Sequence, residues 1–149
     1  MILKSFELEL SSYFGPGIYV YIDLENEKVI KYSQNMGSFP YKDIFSDEGL
    51  KNIDPDCTFF FEKFLEDKDI EYIQNKLLNL DIENWNEEYA DNNICDGQQW
   101  HVMYNEVRNG EVLNRKIYGS NEYPDEWEQM IKLINKYLGY NLRKIRFKS

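Results

Sequence analysis

The fold is decided by residues 18–33, which read IYVYIDLENEKVIKYS. Apolar positions alternate with tyrosine and aspartate from Ile18 to Leu24, as in a half-buried β-strand. Glu25-Asn26-Glu27 provides a short polar turn, and the chain returns through the β-branched stretch Lys28–Ser33. These residues therefore predict two antiparallel strands joined by a tight turn.

The residues before this stretch predict a third strand of the same sheet. Phe6, Leu8 and Leu10 alternate with Glu7 and Glu9, which is again the period of a strand with one buried face. Gly15-Pro16-Gly17 then breaks the chain with strong turn chemistry. The first 33 residues are thus expected to form an antiparallel meander of three strands.

The residues after the meander predict helices and a later hairpin. Thr58–Leu65 fits either a buried strand or the start of a helix, and periodicity does not choose between them. A helix is expected from an Asp69 N-cap to Leu80, followed by a second short helix over residues 82–89. Asn109-Gly110 predicts a hairpin, and Pro124 fits the first position of a last helix.

We therefore predict an α+β fold. Its antiparallel sheet combines the N-terminal three-strand meander with the later hairpin, in about five strands, and its helices pack on one face. Neither a repeat nor a linker interrupts the pattern, so we expect a single domain over residues 1–149. Residues 141–149 form a basic C-terminal tail. Residues 34–57 are expected to be loop with one short helical turn.

The charge of the chain is strongly negative. Lys and Arg total 17 against 27 Asp and Glu, a net charge of −10. This balance disfavours nucleic acids and anionic membranes as main partners, because phosphate contacts need Lys and Arg. The acids concentrate between residues 62 and 96, where eleven of them meet only three lysines. This segment is either a solvated face that keeps the protein in solution or a surface for a basic partner.

Residues suited to catalysis or metal binding are scarce. The chain has two cysteines, Cys57 and Cys95, and one histidine, His101. Their spacing matches no metal motif, and one histidine excludes most triad and multi-histidine schemes. On a strand, residues five apart point to opposite faces, so His101 does not share a site with Asp96 or Glu106. We predict no cofactor, no metal and no enzymatic activity.

Aromatic and turn residues of the second half follow a specific order. It comprises Trp85-x3-Tyr89, Asp96-Gly97-x2-Trp100 and Gly119-Ser120-Asn121-x-Tyr123-Pro124. Taken alone, these residues suit a scaffold of core tryptophans, tight turns and a helix start. Preceded by Gly15-Pro16-Gly17, the order resembles that of small bacterial immunity-like proteins of polymorphic and contact-dependent toxin systems. The resemblance covers residues 1–140 in layout and 85–127 in motif, and implies that the chain binds a toxin.

Charge and resemblance together predict an immunity protein that neutralises a cognate toxin, most readily a nuclease, by covering its basic cleft. We expect a monomer that binds no nucleic acid or membrane. A cytoplasmic location is expected because the sequence has no signal peptide and no apolar run of ~18 residues. The expected contact residues are exposed acids with one aromatic anchor: Glu62, Glu66, Asp67, Glu83, Glu87, Glu88, Asp91 and Tyr89.

Two other functions stay open at the level of sequence. The high aromatic content could leave an exposed apolar patch, as expected of a self-assembling structural or regulatory subunit. An enzyme acting on a small cationic substrate in an acidic cleft is the third interpretation. It is the least favoured, because the chain lacks a recognisable nucleophile or metal motif.

Overall fold

Seven strands and two helices make up the computed structural model, which describes residues 2–12, 17–34, 58–90 and 98–138. The strands are β1 (Ile2–Ser12), β2 (Gly17–Asp23), β3 (Lys28–Gln34), β4 (Thr58–Phe64), β5 (Glu88–Ala90), β6 (Gln98–Arg108) and β7 (Glu111–Ser120). The helices are α1 (Asp67–Asn79) and α2 (Trp127–Leu138), with a 3₁₀ turn at Ile82–Asn84. The predicted α+β class is confirmed. Gln34, the first residue of the loop expected at 34–57, is instead the last residue of β3; residues 35–57 and the basic tail lie outside the described residues.

The strands form one sheet in the order β4-β3-β2-β1-β6-β7-β5. The predicted β1–β2–β3 meander and β6–β7 hairpin are both antiparallel, as expected. The prediction of a wholly antiparallel sheet is wrong, because β5 pairs with β7 in parallel. After α1, the 3₁₀ turn leads the chain to the edge of the sheet, where β5 runs in the same direction as β7. The predicted strand count was too low because β4 and β5 add one strand at each edge.

β1 lies at the centre of the sheet. Phe6 is opposite Ile22 of β2 on one side and Tyr104 of β6 on the other. Because side chains alternate along a strand, Phe6 and Leu8 point to one face, whereas Glu7 and Glu9 point to the opposite one. The sheet therefore has an apolar face and a polar face at its centre.

The core lies between the apolar face and the two helices. Phe6 and Leu8 are fully buried, as are Ile73 and Leu77 of α1 and Met130 of α2. These side chains belong to one continuous hydrophobic cluster. Burial of each such side chain contributes about 1.5–3 kcal/mol relative to leaving it exposed.

The ends of the helices differ from the predictions. Glu66, not Asp69, is the N-cap of α1; Asp69 is its third residue and accepts a hydrogen bond from the Glu66 backbone N–H at 3.0 Å. This reciprocal cap starts the helix earlier than expected. The predicted second helix is reduced to the 3₁₀ turn that leads into β5. α2 begins at Trp127, so Pro124 lies before the helix.

Candidate partner-binding groove

The predicted contact residues lie in separate parts of the fold. Glu62 is on β4, and Glu66 and Asp67 are at the start of α1. Glu83, Glu87, Glu88 and Tyr89 lie in the 3₁₀ turn and in or next to β5, whereas Asp91 lies outside the described residues. β4 and β5 are the opposite edges of the sheet. Six interstrand spacings of about 4.8 Å place these edges roughly 29 Å apart, so the residues do not form one surface.

Three of these predicted carboxylates are already paired with basic residues of the chain. Glu62 Oε2 lies 3.9 Å from Lys28 Nζ, and Glu66 Oε2 lies 3.2 Å from Lys68 Nζ. Glu83 Oε2 accepts a hydrogen bond of 2.7 Å from the Arg108 guanidinium. Such exposed pairs contribute only ~0–1 kcal/mol each, but they offset the negative potential that a cationic partner would encounter.

An open groove next to β5 is lined by several acids, and we call it the β5 groove. It has a volume of about 680 Å³. The described residues that line it are Asp81, Asn84, Trp85, Asn86, Glu88, Tyr89, Ala90, Glu122, Tyr123, Pro124, Asp125 and Glu126. Five of them are carboxylates, and none of these described lining residues is Lys, Arg or His. Glu88 and Tyr89 are the predicted contact residues that this groove contains.

One wall of the β5 groove is anchored by hydrogen bonds from a partly buried arginine. The Arg115 guanidinium on β7 donates to the backbone carbonyls of Ile82, at 2.6 Å, and Trp85. The Trp85 indole N–H donates in turn to the Leu80 carbonyl at 3.1 Å. Asp81 has a φ of 56°, in the left-handed region, and its carboxylate accepts from the Asn84 side chain at 2.7 Å. The 3₁₀ turn is thereby fixed against the sheet.

The other wall is built on Trp100. Its indole N–H donates to the Glu122 carbonyl at 2.9 Å, and its ring centre lies 4.7 Å from that of Trp127. Trp85, Trp100 and Trp127 are all buried in the hydrophobic cluster, which confirms the expected scaffold of core tryptophans. Gly119 lies beneath the indole, where a Cβ would overlap the ring. The Tyr123 hydroxyl donates to the Gln98 side chain at 2.8 Å, which orients this wall.

Sequence reasoning missed four of the five groove acids, namely Asp81, Glu122, Asp125 and Glu126. Asp125 and Glu126 carry a signal, because acids are favoured before a helix by its dipole. That signal predicts the start of a helix. It does not predict that the same side chains line a groove next to β5. Only the pairing of β5 with β7 brings the two acidic segments together.

A second groove, the α1 groove, lies between the start of β1, the β2–β3 turn and α1. Its volume is about 490 Å³, and its floor includes apolar Ile2, Leu24 and Ile70. Asp67 from the predicted set lines it. In contrast to the described lining of the β5 groove, its lining includes a cation: Lys4 Nζ lies 3.5 Å from Glu25 Oε1. Its negative charge is therefore partly offset.

The polar face of the sheet carries a cluster of titratable groups that sequence reasoning missed. The Tyr19 hydroxyl donates to Glu7 Oε2 at 2.7 Å, and His101 Nε2 lies 3.0 Å from Glu9 Oε2. Burial raises the pKa of Glu7, while the Tyr19 hydrogen bond opposes that rise. The alternation of Glu7 and Glu9 was visible, but their partners come from the registers with β2 and β6.

The prediction that His101 and Glu106 point to opposite faces is confirmed by the register, which sets His101 beside Glu9 and Glu106 beside Leu3. Asp96 lies outside the described residues.

Among the residues with described positions, no three His, Cys, Asp or Glu side chains are arranged to hold a metal ion. Neither described helix has the length and apolar character needed to cross a bilayer.

Comparison with known proteins adds no relative. The chain matches no family model, no curated protein and no solved structure.

Proposed function

We propose that the chain is a non-enzymatic binding module, an immunity protein that neutralises a basic toxin domain through the β5 groove. The observation that supports this best is the charge of the groove: five carboxylates and no cation among its described lining residues. The proposal narrows the predicted contact set to the residues at one edge of the sheet. Glu88 and Tyr89 remain in it, with Glu87 beside them.

The physical basis is charge complementarity. A nuclease cleft is basic because its substrate is a polyanion, so an acidic groove imitates the charge of that substrate. Complementary charge raises association rates up to about 10⁸–10⁹ M⁻¹s⁻¹ at low salt. Fast capture suits a protein that must reach a toxin before the toxin acts.

Aromatic side chains in the same groove give the partner an anchor. Tyr89 and Tyr123 are partly buried against the core, and the ring centre of Tyr89 lies 5.9 Å from that of Trp100. The Tyr89 hydroxyl accepts a hydrogen bond from the Asn86 backbone N–H at 3.0 Å, so its position is fixed before binding. Pre-positioned tyrosines beside charges are typical of residues that dominate binding energy.

The first test is protection of cells. The reading frame beside this gene should encode a secreted protein with a toxic C-terminal domain, and co-expression of the chain should restore growth. Its association rate with the purified toxin domain should fall steeply as NaCl rises, because salt screens the charges. Absence of any such neighbour would refute the immunity assignment, and an association rate unaffected by salt would refute the electrostatic mechanism.

Self-association is a second candidate, supported by an exposed apolar row. Ile2, Val107 and Val112 are adjacent across β1, β6 and β7, and Ile2 and Val112 are 63% and 64% exposed. Such a row at the end of a sheet suits contact with another protein surface. Sedimentation over a range of concentrations separates the candidates, because the binding module should remain monomeric without its toxin.

A further inference from the structure

A groove of opposite character lies along the seam between α1 and α2, and we call it the lysine groove. Its volume is about 620 Å³. Its described lining residues are Tyr72, Lys76, Asn79, Leu80, Gln129, Lys132, Leu133 and Lys136. Three are lysines, and none of those described is an acid. In a chain of net charge −10, this is a local reversal of sign.

Two of the lysines converge on one aromatic ring. Lys136 Nζ lies 3.8 Å from the centre of the Tyr72 ring, and Lys76 Nζ lies 5.5 Å from the same centre. Both are held by cation–π attraction, although their charges repel each other. Neither they nor Lys132 lies within ion-pair distance of a carboxylate in the described part of the chain.

The helix dipoles explain only part of this arrangement. Lys76 and Lys136 occupy the last turns of α1 and α2, where a cation is favoured by the negative end of the dipole. Lys132 lies in the middle of α2 and gains nothing from that effect. All three nevertheless line the same groove, so their positive charges are concentrated there.

The floor of the groove is apolar. Leu80 and Leu133 are 4% and 6% exposed and belong to the hydrophobic core. Asn79 and Gln129 supply amide groups that can donate or accept hydrogen bonds. A ligand that fits this lining has anionic oxygens at one end and an apolar or aromatic body at the other. The volume lies within the usual range of small-molecule sites, about 300–1,000 Å³.

We propose that the lysine groove binds a small organic phosphate. The lysine ammonium groups contact the phosphate oxygens as point charges, and the organic body packs on Leu80 and Leu133. The site is separate from the β5 groove, because the two share no described lining residue. The proposed phosphate binding can therefore be tested independently of the proposed toxin binding.

Calorimetric titration with ATP and with inorganic pyrophosphate tests the proposal on the full chain. ATP should bind saturably with a Kd below about 1 mM, and pyrophosphate at least about tenfold more weakly, because it lacks the organic body. Lys132→Gln and Lys136→Gln should each weaken ATP binding by about tenfold, the loss of one charge-assisted contact. Lys68→Gln is the control, since Lys68 is on α1 but pairs with Glu66 outside the groove.

Each other outcome overturns a stated part of the proposal. No saturable ATP binding, or binding that neither groove variant weakens, refutes the site. Equal affinity for ATP and pyrophosphate refutes the role of the apolar floor. Thermal melting of each variant confirms that the fold is retained, which is expected because Lys132 and Lys136 are exposed.

Discussion

The polar side chains have different partners in the two halves of the sheet. In the β6–β7–β5 half, Trp100 and Arg115 donate hydrogen bonds to backbone carbonyls and so position the segments that form the β5 groove. In the β2–β3–β4 half, Lys28 pairs with Glu62, and Lys31 is buried in the sheet. In the first half, the five carboxylates that line the β5 groove have no ion-pair partner among the described residues, although Glu83 nearby pairs with Arg108. In the second half, the Glu62 carboxylate is offset by Lys28. Acid density in a sequence thus does not define an acidic surface.

The largest effect should come from filling the space beneath Trp100. Gly119→Val places side-chain atoms where the indole lies, so the ring must move away from Glu122. We expect a loss of about 3 kcal/mol or more in the free energy of unfolding, measured in urea. Ser120→Ala, on the next residue, should change it by less than about 0.5 kcal/mol. Equal effects of the two variants would show that this half of the sheet is not rigidly packed.

Removing the guanidinium tests the opposite wall of the groove. Arg115→Met removes the guanidinium donor from the carbonyls of Ile82 and Trp85, although the Ile82 carbonyl still accepts from the Trp85 backbone N–H at 3.2 Å. The expected loss is about 2–3 kcal/mol, with faster amide hydrogen exchange over residues 82–88. Lys116→Met alters the exposed neighbour on the other face and should be nearly neutral. Unchanged exchange in Arg115→Met would contradict the anchoring role.

The other half should respond to pH through Lys31. Burial lowers the pKa of Lys31 to about 8. The unfolded chain therefore binds more protons than the folded one between that value and the ordinary pKa of about 10.4, so stability rises with pH across this window. Lys31→Met should stabilise the protein by about 1–2 kcal/mol at pH 7, with the gain shrinking above pH 8. A variant that is less stable at pH 7 would contradict this.

The smallest effect is expected at Glu7, where the halves meet. Burial raises its pKa in the folded state, so its contribution to stability is complete below the ordinary value of 4.5 and is lost as pH rises through the raised one. Glu7→Gln keeps an acceptor for the Tyr19 hydroxyl. It should raise the free energy of unfolding by less than about 1 kcal/mol at pH 7 and leave it unchanged at pH 4. Urea midpoints across this range measure it, with the same substitution at exposed Glu111 as the matched control.

Local signals predicted the local parts of the fold. The Asn109-Gly110 turn has φ angles of 54° and 79°, the left-handed values that a two-residue hairpin requires. The meander was likewise encoded in alternation and short turns. The parallel β5–β7 pair was not predicted from the sequence. The chain reaches β5 through α1, and no turn residue in that connection indicates that β5 pairs with β7.

Only the acidic composition of the candidate site could be predicted from the sequence. The segment from residue 62 to 96 was correctly identified as acidic, but its described acids are divided between β4, α1 and the segment around β5. The second wall of the groove comes from residues 122–126, which follow β7 and are placed beside β5 by strand pairing. Whether a carboxylate meets a lysine, as Glu62 does, depends on register and not on local sequence.

Matched charge reversals test the central claim most directly. Glu88→Lys with Asp125→Lys places two cations in the β5 groove, whereas Glu62→Lys with Glu71→Lys makes the same change of charge on β4 and α1. We expect the groove pair to lower the association rate with the toxin domain by at least about tenfold at low salt, and the matched pair by no more than about twofold. Equal losses from both pairs, or none from the groove pair, would contradict the account.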